Sequence, residues 1–128
     1  MGTLITKGIK ISVVTNYHKE HSEPARHKYI FSYRIRIENE SPHTVQLLRR
    51  HWFIFDSNGA RREVEGEGVI GQKPTLKPGD MHEYLSWCPL LTGIGQMKGT
   101  YLMRREIDDE EFYVTVPEFQ LIVPSFLN

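Results

Sequence analysis

The sequence predicts an all-β protein, an antiparallel two-sheet sandwich, and three observations carry that prediction. Arg26–Asn39 alternates with a period of two: Tyr29, Phe31, Tyr33, Ile35 and Ile37 point one way, Lys28, Ser32, Arg34, Arg36 and Glu38 the other. That is the pattern of a half-buried antiparallel strand, and aromatic and β-branched residues suit it. No segment keeps a 3.6-residue apolar period over three helical turns. Finally, seven or more short strands are separated by Gly, Pro and Asn turns at even intervals, as in two packed sheets.

Taken in order, Gly8–Tyr17 reads as the first strand, with Ile9, Ile11 and Val13 on one face. His18–His27 is polar, contains Pro24 and reads as a loop. Arg26–Asn39 follows, and Pro42 blocks its continuation through the Asn39–His43 turn. Thr44–Asp56 changes phase: Val45 and Leu47 share one face, Trp52 and Ile54 the opposite parity. A bulge near Leu48–Arg50 restores the register. Ser57-Asn58-Gly59 is a hairpin turn, and Arg61–Glu65 is a short charged return strand at a sheet edge. Met81–Trp87 is a strand ended by Pro89. Gly95–Ile107 alternates through Met97, Gly99, Tyr101 and Met103, and Asp108–Glu111 is an acidic turn. Phe112, Val114 and Val116 lead to Pro117, after which Phe119, Leu121 and Val123 resume the alternation before Pro124, implying an edge position or a bulge. The single cysteine, Cys88, removes the inter-sheet pair of antibody domains. The predicted sandwich is therefore fibronectin type III / immunoglobulin-like, with no disulfide.

At 128 residues the chain is one domain, 1–128, long enough to bury a core without staples. Its 16 basic and 16 acidic residues cancel, so no overall field draws it to nucleic acid or to an anionic membrane. One cysteine fits a reducing compartment. Met1–Ser12 carries Lys7 and Lys10 and no long apolar run, unlike a signal peptide or membrane span. The expected location is cytoplasmic.

Gly66, Gly68 and Gly71 satisfy G-x-G-x-x-G, which cradles a pyrophosphate when a strand precedes it and a helix opens from it. Lys73, Lys77, Arg61 and Arg62 supply charge nearby. Against this, Pro74 and Pro78 interrupt any helix, and without a helix N-terminus there is no fan of free amides. Glu67 would also repel a phosphate. The glycines are read as a chain reversal. His18, His21 and His27, beside Glu20 and Glu23, invite a metal reading but lack the fixed spacing of zinc motifs; the prediction is no metal site. His51 and His82 read as structural histidines. Cys88, between Trp87 and Pro89, has no signature of a base and reads as a buried, inert thiol. No nucleophile–base–orienter set is visible, so no catalytic residue and no cofactor are assigned. Neighbouring arginines such as Arg61-Arg62 point to opposite faces of a strand. Trp52, Trp87, Tyr84, Phe53 and Phe55 exceed what one thin core readily absorbs. Of these, Trp52, Tyr84 and Trp87 are the candidate anchors for a partner.

Several of these segments together resemble the bacterial ApaG proteins: RHWFIF (Arg50–Phe55), DSNG (Asp56–Gly59), VEGEGVIG (Val64–Gly71), LKPGD (Leu76–Asp80), YLSWCP (Tyr84–Pro89), Gly99–Met103 and FQLIVP (Phe119–Pro124). The likeness spans nearly the whole chain. It departs at His51-Trp52, where relatives more often carry an aromatic pair, and at the bulky Trp87-Cys88. The resemblance implies a fibronectin-III-like sandwich with no established enzymatic activity. It also implies kinship with domains of certain eukaryotic F-box proteins and of a DNA-polymerase-interacting protein, where recognition of other proteins is the expected role. A loose association with cobalt and magnesium tolerance names no ligand residues. The expected function is a non-enzymatic binding module for another protein, with an edge strand available for a homodimer, and with no role on membranes or nucleic acid. The alternatives are pyrophosphate or nucleotide binding at Gly66, Gly68, Gly71 and Lys73, or cobalt and magnesium handling.

Overall fold

The structure, a computed structural model, describes residues 2–127. Nine strands run β1 (Gly2–Thr6), β2 (Ile9–Tyr17), β3 (Tyr29–Asn39), β4 (Val45–Asp56), β5 (Arg61–Glu67), β6 (Thr75–Leu76), β7 (Met81–Leu90), β8 (Ile94–Arg105) and β9 (Glu111–Ile122). They form two antiparallel sheets of order β1-β2-β3-β7 and β5-β4-β8-β9, with β6 also pairing with β4. The only helical turns among the described residues are short 3-10 segments at Lys19–His21, Pro24–Arg26 and Pro124–Leu127. The predicted all-β, two-sheet class without a disulfide is the observed one.

The alternation that predicts β3 is the alternation that buries it: Ile35 and Ile37 pair with Val13 and Ile11 across the ladder, and with Phe31, Tyr33 and Ile9 they fill the inter-sheet core. The phase change in β4 is a bulge. Leu47 pairs with Met103 and Arg49 with Leu102, leaving Leu48 extra. Odd-numbered residues point inward before the bulge, and Arg50, Trp52 and Ile54 point inward after it. A second bulge places Pro117 and Glu118 opposite Lys98, between the pairs Met97–Phe119 and Gly99–Val116. There an N–H is not required.

Three sequence expectations change. A strand precedes the predicted first one: β1 pairs with β2 through a two-residue turn at Lys7-Gly8. It shows no clean alternation because most of it is exposed. Pro89 does not end β7, which runs on to Leu90 with Pro89 opposite Ile30. β7 is the outer strand of its sheet, so a residue lacking an N–H is tolerated. And β5 extends past Glu65 through Gly66 and Glu67, so the first glycine of the motif lies in the ladder opposite Arg50.

The two sheets close on one side, where the Thr115 amide donates to Thr6 Oγ1 and joins β9 to β1. On the other side β5 and β7 are both outer strands.

Candidate functional site

The glycine motif resolves into a tight turn. The Val69 amide donates to the Gln72 carbonyl and the Gln72 amide returns the bond, with Ile70 and Gly71 at the corner at φ 47° and 71°. The Gly68 amide donates to the Leu48 carbonyl, docking the turn on the β4 bulge. No helix follows among the described residues. The Gly68, Val69 and Gln72 amides are thus already used by the backbone. Lys73 is also engaged, its Nζ lying 3.0 Å from Glu67 Oε1. That hydrogen bond and charge hold the Glu67 carboxyl below its ordinary range. Gly66, Gly68, Gly71 and Lys73 therefore form a self-contained reversal.

The aromatic candidates separate. Trp52 and Tyr84 are buried, while Trp87 is 49% exposed. Trp87 lies on the outer face of β7, with His18 at a 4.4 Å ring-centroid distance and His21 edge-on at 5.9 Å. Phe53 and Phe55 face outward from the other sheet, Phe53 stacked on His51 and Phe55 beneath Arg61 and Lys98. Inside, the Tyr84 and Tyr101 hydroxyls share a hydrogen bond between the two sheets. Burial raises the pKa of both phenols, and of Tyr33 beside them.

His18, His21 and His27 do not converge on a metal. His18 Nε2 bonds Ser32 Oγ at 2.7 Å and its Nδ1 lies 3.4 Å from Glu20, while His27 caps the Pro24–Arg26 turn. Ser32, His18 and Glu20 do have the connectivity of a nucleophile, a base and its orienter, which no spacing in the sequence announces. Ser32, however, is 2% exposed, with His18 bonded to its Oγ. The serine is closed to a substrate carbonyl, and the bond serves to hold His18 against Trp87.

Among the described residues, the group able to hold a metal is instead His51, Glu63 and Glu65, whose ligand atoms all lie within 4.8 Å of one another. The β4–β5 register creates it by setting His51 opposite Glu65. Cross-strand pairing was the missing information. Three such donors would suit a divalent cation keeping several waters, although the exposed carboxylates already lie 3.3 and 3.0 Å from the imidazole nitrogens.

Cys88 is a free, buried thiol, and burial lifts its pKa to about 11 despite the nearby Arg62 guanidinium. It is a poor nucleophile, as the sequence suggested. Arg62 and Arg50 both point into the seam. Arg62 Nη2 donates to the Pro89 carbonyl across from β5 to β7, and Arg50 Nη1 donates to the Glu67 and Gly68 carbonyls at 3.1 and 3.0 Å. Gly66 leaves room for Arg50: a Cβ there would lie 2.8 Å from its Nη1.

Fold and site together define a two-sheet β-sandwich whose candidate groups lie on one outer strand and along one open edge. Residues 19–105, more than half of the chain, match the domain family described as ApaG domain. The Protein ApaG of Anaeromyxobacter dehalogenans is 46% identical over 128 residues, all of both chains, and that of Brucella canis is 44% identical over 98% of this chain and 95% of its own. A solved structure described as the putative ApaA protein of Bordetella pertussis superposes with a TM-score of 0.88 at 43% identity, covering 91% of this chain and 94% of its own. An Archaeoglobus fulgidus protein, at 13% identity and TM-score 0.52, shares the fold alone. The chain belongs to the ApaG family.

Proposed function

We propose that the protein is a non-enzymatic binding module that recognises another protein through the outer face of β7, acting in the cytoplasm. The observation that carries this reading is Trp87, a large aromatic left exposed on an outer strand and braced by His18 and His21. A braced tryptophan supplies contact area at little entropic cost, which is why such residues anchor interfaces. Val14 and Leu85 are exposed on the same face and extend the apolar surface. The free edge of β7 adds unpaired backbone groups that a partner strand, or a second copy of the chain, can pair with. Trp52 and Tyr84 support the surface from within.

The test is affinity capture from the native cell on immobilised wild-type protein and on Trp87→Ala. A protein retained by the first and lost from the second, at equal thermal stability, is the expected result. Equal recovery on both would remove Trp87 as the anchor. Sedimentation velocity of the two proteins separates a heterologous partner from self-association.

A further inference from the structure

We propose that the open seam between β5 and β7 is a binding site for a small oxyanion, a carboxylate or a phosphate group. The site is a cleft of about 180 Å³ between the sheets, lined among others by Tyr33, Arg50, Trp52, Arg62, Ser86 and Cys88. Its polar lining can donate hydrogen bonds throughout and contains no carboxylate. An interior of donors without an acid calls for an anion.

The two arginines make the point quantitatively. Arg26, Arg34, Arg36, Arg104 and Arg105 each lie within 4.0 Å of a carboxylate oxygen; Arg49, Arg50, Arg61 and Arg62 have no such pair among the described residues, and of these four it is Arg50 and Arg62 that line the cleft. These two share the parity of Trp52 and Val64 and lie along the rim of the cleft, Arg50 half-buried and Arg62 exposed. Backbone carbonyls hold Arg50 Nη1 at one end of the cleft and Arg62 Nη2 at the other. Arg62 Nη2 also donates to Cys88 Sγ at 3.6 Å, while Arg50 Nη2 and Arg62 Nη1 have no protein acceptor among the described residues; a guanidinium fork is the shape that grips a carboxylate or phosphate in two places.

A third group points the same way. Trp52 is 3% exposed, and its Nε1 is buried with no hydrogen-bond partner. An indole nitrogen can only donate, and buried donors are ordinarily satisfied. An oxyanion between the arginines would supply the missing acceptor. The neighbouring cleft that shares Ile54, Arg62 and Pro89 does contain Asp56, but that carboxylate already accepts from the Leu91 amide and from the Thr92 amide and hydroxyl.

Trp87 also lines this cleft, but the anion site rests on Arg50, Arg62 and Trp52 and does not depend on the partner-binding role proposed for Trp87. Nitrogen-15 spectra of the labelled protein, titrated with inorganic phosphate and separately with acetate at constant ionic strength, test it. The chain has two tryptophans, so the indole signal that persists in Trp87→Ala is that of Trp52. The expected result is a saturable shift of the Trp52 indole with at least one of the anions. The ratio of the two affinities tells a phosphate site from a carboxylate site. Arg62→Gln should weaken binding about tenfold, the usual worth of one charge-assisted hydrogen bond. Gly66→Ala, whose Cβ has only the Arg50 guanidinium, and no backbone atom, as its nearest contacts, should weaken it too while leaving the protein folded, and so guards against an Arg62 variant that misfolds. A Trp52 indole that does not shift saturably with either anion, or shifts equally in wild type and both variants, overturns the proposal.

Discussion

Gly68 and Gly71 both sit at positive φ, 63° and 71°, but their surroundings differ. A Cβ on Gly68 would lie 2.3 Å from the Gln72 carbonyl oxygen, while one on Gly71 would meet nothing within 4 Å. Gly71→Ala should therefore cost only the left-handed backbone penalty, about 1 kcal/mol. Gly68→Ala adds a backbone clash that flexible atoms cannot relieve, so a loss of about 3 kcal/mol or more is expected. Urea unfolding of the two variants checks the order; equal losses would show that the turn at Gly68 moves freely. At this scale the sequence was legible where a residue type has one use, as for these glycines and the inert Cys88. It was not legible for Asn39, which is fully buried yet satisfied, donating to the His43 and Leu76 carbonyls and accepting from Ser41. Nor was it legible for Ser32, whose histidine arrives from a separate loop. A buried polar residue announces itself only through partners distant in the chain.

Among the elements, those with a strong period were legible and those without were not. β3 and β8 alternate cleanly and lie where their patterns place them, whereas exposed β1 and the two-residue β6 leave no period to find. The β4 bulge was visible as a change of phase, and its consequence is chemical: it turns Arg50 inward and His51 outward. Between elements, the Tyr84–Tyr101 bond ties β7 of one sheet to β8 of the other. Tyr101→Phe should cost about 1–3 kcal/mol, because Tyr84 is left with a buried hydroxyl and no partner. Adding Tyr84→Phe to that variant should cost little more, since both polar groups are then gone. A double-mutant cycle by chemical denaturation measures the coupling, and strict additivity would dismiss the bond as an energetic link.

Over the whole molecule, the sandwich is shut between β1 and β9 and open between β5 and β7, and the ionisable groups buried near the open side make its stability pH-dependent. Cys88 is pushed from an ordinary 9.0 to about 11, and Tyr33, Tyr84 and Tyr101 are raised above 10.0 by burial. Each folded pKa lies above the unfolded one, so the stabilisation is complete below the unfolded values and drains away as pH rises through and beyond them. Melting temperature should hold to about pH 9 and fall steadily above it, and Tyr84→Phe/Tyr101→Phe should flatten that fall. Calorimetry across an alkaline series reads both; an unchanged slope in the double variant would assign the loss to other groups. The sequence by itself determined the all-β class, the main strands, the bulge and the absence of a helix after the glycines. These follow from periodicity and turn chemistry, which are local. Only the tertiary structure decided which aromatics are buried, that His51 meets Glu63 and Glu65, and that two arginines without acids face a tryptophan without an acceptor. Those facts depend on which strands become neighbours, and strand pairing is set by burial summed over both sheets, not by any one stretch of chain.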